Sequence, residues 1–122
     1  VPSKLNLHRQ SRVLEIAFDT GEIFHLPCEY LRVYSPSAEV RGHGQPKLQT
    51  GKRYVNIRQI EPVGHYAVRL IFDDGHDSGL YSWSWLYELG KEQELKWKKY
   101  LAQLEKAGAS RDPNPNLVEH NE

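Results

Sequence analysis

The sequence has few of the features that mark secreted, membrane-spanning or cysteine-rich metal proteins. It contains one cysteine, Cys28, so it can form neither an intrachain disulfide nor a Cys-x-x-Cys metal knuckle. A single cysteine fits a reducing compartment, and we expect the cytoplasm. The apolar runs are only a few residues long, and the first ten residues lack the apolar stretch of a secretory signal. We therefore expect neither a membrane span nor a signal peptide.

The sequence also lacks a charge excess, because 16 basic residues balance 16 acidic ones. Nucleic-acid-binding proteins usually carry a basic excess, so we do not expect nucleic acid to be the partner. The distribution is nevertheless uneven, and one stretch has five basic residues and no acidic one. These residues are Arg41, Lys47, Lys52, Arg53 and Arg58. The stretch is typical of a solvated loop, with an anion contact as the alternative.

Hydrophobic periodicity predicts an α+β fold with a small antiparallel sheet, hairpins, short helices and a C-terminal amphipathic helix. Strands are predicted within residues 5–7, 12–18, 23–26, 54–60, 65–72 and 80–81. Helices are predicted near residues 28–34, from residue 83 to Gly90, and over 91–107. Residues 61–64 have the composition of a turn. We expect one domain over residues 3–108, followed by a polar, disordered tail over 109–122.

The segment FDDGHDSGLYSWSW, residues 72–85, is the strongest candidate for a functional site. His76 lies among three aspartates and could bind iron or zinc together with Asp74, Asp73 or Asp77. An EF-hand is excluded, because the position that needs glutamate is occupied by Ser84. A facial triad would need a second histidine, which the sequence cannot place. The alternative is that the Asp-Gly pair only forms a hairpin turn.

The aromatic residues that follow have two interpretations. Tyr81, Trp83 and Trp85 alternate along the chain, and large aromatic side chains in small domains mostly pack in the core. If they face solvent instead, they would form a partner-binding surface with Arg58, since aromatic and arginine side chains dominate interface hot spots. No nucleophile-elbow, phosphate-loop or dinucleotide motif is present, so we do not expect an enzyme.

The run IEPVGHYAVRLIFDDGHDSGLYSWSWL (residues 60–86), with GEIFHLPCEYLR (21–32), resembles the N-terminal domain of γ-butyrobetaine hydroxylase and related stand-alone bacterial domains. In the hydroxylases this domain binds zinc through three cysteines and one histidine. The resemblance places the histidine at His76 and the cysteines at Ser35, Ser37 and Val40. Because all three thiolates are missing, we expect the hydroxylase-type zinc site to be absent.

The resemblance also limits what the domain is expected to do. The iron and 2-oxoglutarate of the hydroxylases bind in a separate jelly-roll domain, for which 122 residues leave no room. The equivalent domain takes part in subunit contacts, so our leading interpretation is a non-catalytic module that binds a protein partner or forms a homodimer, with no cofactor. The alternative is an iron- or zinc-binding accessory protein using His76 and Asp74, since some relatives are fused to iron–sulfur carrier ATPases.

Overall fold

The computed structural model describes residues 1–37 and 47–113. Six strands lie in this part of the chain: β1 (Pro2–His8), β2 (Val13–Phe18), β3 (Ile23–Pro27), β4 (Ile57–Val63), β5 (Ala67–Phe72) and β6 (Gly79–Ser82). Three helices accompany them: α1 (Cys28–Val33), α2 (Trp83–Lys91) and α3 (Gln93–Ala107). The α+β class predicted from the sequence is confirmed, with the strands divided between two sheets.

Strands β1, β2 and β3 form the first antiparallel sheet, sheet A, in the order of the sequence. The alternation of β2 is strict, because Leu14, Ile16 and Phe18 are buried while the residues between them are half-buried. The turn between β2 and β3 contains Gly21 at a φ of +93°, a conformation that suits glycine because it has no Cβ. Pro27 ends β3, and α1 follows directly.

Strands β4, β5 and β6 form the second antiparallel sheet, sheet B, with β5 in the centre. Strand β4 continues through Pro62 to Val63, which corrects the turn predicted at residues 61–64. A proline is tolerated there because β4 is an edge strand, where one row of amide positions needs no partner. The predicted Asp-Gly turn lies between β5 and β6, with Gly75 at a φ of +93°.

A single buried cluster joins the two sheets to α1 and α2. Sheet A contributes the buried side of β2 together with Leu26, and sheet B contributes Leu70 and Phe72. The helices add Leu31, and Leu86 and Leu89 of α2. The continuity of this cluster explains why the two small sheets form one domain, since neither three-stranded sheet could bury its apolar face alone.

Helix α3 packs at the side of this core through a smaller cluster that contains Val33, Tyr100 and Leu104. Residues 109–113, which belong to the predicted disordered tail, run back along residues 51–53 and make definite contacts. Arg111 pairs with the buried carboxylate of Glu29 through two hydrogen bonds, of 2.7 and 2.8 Å. Residues 114–122 of the predicted tail lie outside the described residues. No helix in the described ranges has the length and apolar character needed to cross a membrane.

Candidate functional site

Ser35, Ser37 and His76, which come from two distant parts of the sequence, meet in one buried cluster, called here the Ser–His cluster. Nε2 of His76 lies 2.8 Å from Oγ of Ser35 and 3.3 Å from Oγ of Ser37. All three residues are buried. Val40, the third position that the family resemblance aligns with a cysteine, lies outside the described residues. The structure therefore brings together three of the four positions that the resemblance assigns to the hydroxylase zinc site.

The local fold explains why these side chains converge. The serines follow the C-terminal end of α1, and the amide of Ser37 donates a hydrogen bond to Oγ of Ser35, 3.3 Å away. His76 follows the turn after β5, where its ring packs 6.1 Å from that of Phe72. Gly79 allows the close approach, because a Cβ at this position would lie 2.6 Å from Oγ of Ser35.

Asp74 takes part in a separate ion-pair cluster. Its Oδ2 accepts hydrogen bonds from Nε of Arg32 (2.9 Å) and Nζ of Lys52 (2.6 Å), and its Oδ1 accepts one from the amide of His76 (3.1 Å). Partial burial alone would raise the pKa of Asp74, but the bonds from Lys52 and His76 and the charge of Arg32 lower it to about 2. The carboxylate is thus held ionised by two cations.

The donor atoms of the Ser–His cluster do not suit zinc. Zinc in proteins binds thiolate, imidazole and carboxylate, and this cluster offers one imidazole and two neutral hydroxyls. Two ligands about 2.1 Å from a tetrahedral zinc are about 3.4 Å apart, so the 2.8 Å between Ser35 and His76 leaves no room for the ion between them. In the described residues, no group of three or more His, Cys, Asp or Glu side chains could hold a metal ion.

The same pair of atoms has the separation of a catalytic dyad, because a serine nucleophile and its histidine base lie within hydrogen-bond distance. The surroundings argue against that role. Ser35 is 2% exposed and His76 is 5% exposed, so neither side chain lies open to a substrate. The cluster is best described as a hydrogen-bonded link between the end of α1 and the β5–β6 hairpin.

The three aromatic residues proposed from the sequence as partner contacts have different surroundings. Tyr81 is fully buried, and its hydroxyl donates to the carbonyl of Leu31 at 2.5 Å. It therefore belongs to the core and is not a surface contact. Trp83 is half-buried, with Nε1 donating to the carbonyl of His65 at 2.8 Å. Trp85 is also half-buried, and its Nε1 donates to the carbonyl of Tyr34 at 3.1 Å.

Arg58 is exposed, but it lies away from Trp83. The end of sheet B next to Arg58 is marked by the pair Ile57–Phe72, whereas Trp83 follows Ser82, which pairs with Ala67 at the other end. Five residue steps along β5 separate these ends, about 16 Å at about 3.3 Å per step. Arg58 and Trp83 consequently do not form one compact patch, and their role in partner contact stays a prediction.

An open groove of about 590 Å³, the apolar groove, lies between the start of α1, the end of α2 and the first turns of α3. The residues that line it include Pro27, Tyr30, Gly90, Glu94, Trp97 and Lys98. The ring of Trp97 lies 6.2 Å from that of Tyr30, and Arg111 stacks on it at 5.0 Å. The sequence pattern had assigned Trp97 only to the apolar stripe of α3, so no motif pointed to this groove.

A second groove, of about 390 Å³ and called here the lysine groove, lies on the other flank of α3. The residues that line it include Tyr34, Lys47, Trp85, Lys96, Lys99 and Tyr100. Among the described residues of the basic stretch, Lys47 alone lines this groove. Lys52 and Arg53 instead pair with Asp74 and Asp112. Arg41 lies outside the described residues.

Comparison with known protein families gives a match between residues 5–87 and the model described as γ-butyrobetaine hydroxylase-like, N-terminal. The chain belongs to this family. The resemblance inferred from residues 21–32 and 60–86 is thereby confirmed. The matched region includes both sheets, α1 and the Ser–His cluster, and it ends before α3 begins. None of the functionally curated proteins compared with the chain matches it.

Solved structures of similar extent share this fold. One solution NMR structure is 61% identical, with a TM-score of 0.81 over 92% of this chain and 85% of its own. Another is 51% identical, with a TM-score of 0.83 over 93% and 91%. A crystal structure from Acidithiobacillus ferrooxidans, described as a DUF971-family protein of unknown function, is 37% identical, with a TM-score of 0.64 over 73% and 91%. The family domain thus also occurs in chains of this size.

Proposed function

We propose that this protein is a non-catalytic module that binds a protein partner, a second copy of itself or a different protein, through the apolar groove. The observation that carries the proposal is the position of Trp97, which is only half-buried at an open groove about 590 Å³ in volume. Aromatic side chains in such concave, mainly apolar sites are the usual anchors of protein interfaces. The buried state of the Ser–His cluster supports a role without catalysis.

The position of α3 supports assigning partner recognition to this side of the molecule. The match to the family model ends at residue 87, whereas Gln93, Glu94, Trp97 and Lys98 line the groove from α3. The common fold therefore supplies the floor of the groove, and the helix after it supplies the opposite wall. A binding surface of this composition can differ between relatives without any change in the two sheets.

The experiment fills the groove from its rim. Glu94 and Lys98 have side chains that are 88% and 75% exposed, so Glu94→Trp and Lys98→Trp add bulk without removing a core contact. Lys106→Trp is the matched control, because it is an exposed position of α3 outside the residues that line the groove. Sedimentation velocity measures self-association, and quantitative affinity capture from the source cells measures binding of another protein.

We expect both rim variants to lose the dimer or the captured partner, and Lys106→Trp to retain it. Retention by both rim variants would contradict the proposal. Trp83→Ala and Arg58→Ala test the surface predicted from the sequence in the same assay. If only these two variants lose the partner, the interface includes Trp83 or Arg58 and does not lie beside α3.

The alternative function, iron or zinc binding through His76 and Asp74, stays a prediction. The ion pairs of Asp74 with Arg32 and Lys52 and the serine contacts of His76 do not favour it. Elemental analysis of untagged protein, before and after exposure to iron or zinc, tests it directly. Near-stoichiometric metal in the wild type and its loss in His76→Ala would establish this alternative.

A further inference from the structure

The lysine groove has a charge pattern that the balanced composition of the chain conceals. Its charged lining residues in the described part of the chain are Lys47, Lys96 and Lys99, with no carboxylate among them. Lys96 and Lys99 come from the flank of α3 opposite Trp97 and Lys98, because the 3.6-residue period places the buried Tyr100 between the two flanks. Lys47 faces them from a segment about fifty residues earlier in the sequence.

The three lysines differ in how far the protein already neutralises them. Nζ of Lys96 lies 3.5 Å from carboxylate oxygens of both Glu88 and Glu92 and over the rings of Trp85 and Tyr34. Its side chain is only 17% exposed. Lys47 and Lys99, by contrast, are exposed and have no carboxylate within salt-bridge distance in the described residues. Two cations therefore remain available to an anionic ligand.

The aromatic residues of the groove present apolar surfaces rather than polar groups. The hydroxyl of Tyr34 donates to the carbonyl of Lys96 at 2.8 Å, and that of Tyr100 donates to the carbonyl of Gln49 at 2.6 Å. Nε1 of Trp85 donates to the carbonyl of Tyr34. With these polar atoms bound internally, Tyr34 and Trp85 contribute ring surface to the same groove as the two available cations. A complementary ligand would carry separated negative charges on an otherwise apolar framework.

We infer that the lysine groove receives an acidic segment of the partner protein, with its carboxylates paired to Lys47 and Lys99 and its apolar side chains against Tyr34 and Trp85. The inference deepens the proposed function and rests on it, since a partner protein must supply the segment. Charge complementarity favours a peptide over nucleic acid, because the chain has no net positive charge to hold a phosphate backbone. Complementary charge here would set specificity and association rate.

The test measures fluorescence anisotropy of a short labelled peptide rich in glutamate with two leucines, added to the full chain at near-physiological salt. The same peptide with glutamine for glutamate and a single-stranded thymidine oligonucleotide are the comparison probes. The groove variant carries both Lys47→Glu and Lys99→Glu, which reverse the charge at the two available cations. Lys4→Glu with Lys106→Glu is the control, since it changes the net charge equally at exposed residues outside the groove.

We expect the acidic peptide to bind the wild type, and the groove variant to bind it about tenfold or more weakly, because both attractive charge contacts become repulsive. The control variant should retain binding. Equal loss in both variants, equal binding of the glutamine peptide, or tighter binding of the oligonucleotide would each overturn the inference. The rim variants Glu94→Trp and Lys98→Trp test the proposed function separately. If they lose the partner but the lysine substitutions have no effect, only this inference is refuted.

Discussion

Replacing His76 by alanine tests whether hydrogen bonds, rather than a metal, hold the α1 end to the β5–β6 hairpin. The substitution removes the imidazole from two buried hydroxyls at 2.8 and 3.3 Å. Leaving such groups unsatisfied costs about 1–3 kcal/mol, and the void left by the buried ring adds about 1 kcal/mol. We therefore expect the free energy of unfolding to fall by about 2–4 kcal/mol, which is a large part of a typical total.

Urea denaturation followed by tryptophan fluorescence measures this loss, with elemental analysis of the same samples. A change of 2–4 kcal/mol corresponds to a shift of about 1–2 M in the urea midpoint for a domain of this size. His25→Ala is the control, since His25 is exposed on sheet A and should shift stability by less than about 0.5 kcal/mol. The reasoning is refuted if both variants cost the same, or if the wild type carries stoichiometric metal that His76→Ala loses.

Three further predictions concern Asp74, Gly79 and Cys28. Asp74→Asn should lower the free energy of unfolding by about 1–2 kcal/mol at pH 7. Because the pKa of Asp74 is lowered from 3.8 to about 2 in the folded state, the difference in denaturation midpoint between wild type and variant should vanish as the pH falls through that window. A difference that stays constant with pH would contradict the ion-pair account. Gly79→Ala should lower the free energy of unfolding by about 1–3 kcal/mol, because the added Cβ overpacks against Ser35. Gly75→Ser, whose Cβ meets no neighbour, tests the strain of a positive φ alone. Equal melting temperatures for Gly79→Ala and the wild type would argue against a tight approach of Gly79 to Ser35. Burial raises the pKa of Cys28 to about 11, so alkylation at pH 8 should be slow until urea unfolds the protein, and rapid native labelling would show that the thiol is accessible.

Local patterns were sufficient to predict most of the strands. Two hairpins were predicted from short-range features: the alternation in β2 and β5, and the glycines that follow Asp19-Thr20 and Asp73-Asp74. Both hairpins are present. The pattern failed at Pro62, where the effect of the residue depends on whether its strand lies at an edge of the sheet. An edge position is a property of the whole sheet, which local sequence does not contain.

The site depends more strongly on contacts between distant residues. Tyr81 and Trp83 lie on the same alternation, yet one is fully buried and the other half-buried, because β6 passes into α2 between them. The lysine groove combines Lys47 with Lys99, and the apolar groove combines Pro27 with Trp97. No spacing rule connects residues that far apart in the chain, so only the fold reveals these pairs. The family resemblance did relate Ser35 and Ser37 to His76, which the structure places in contact.

Site-specific photocross-linking in the source cells tests the proposed partner-binding surface most directly. A photoreactive amino acid replaces Lys98 at the rim of the apolar groove, and in separate variants it replaces Arg58 or Lys106. We predict one discrete adduct from position 98, with a second copy of the chain or with another protein, and none from positions 58 and 106. Adducts from position 58 alone, or from no position under conditions where all three variants are folded, would contradict the proposed interface.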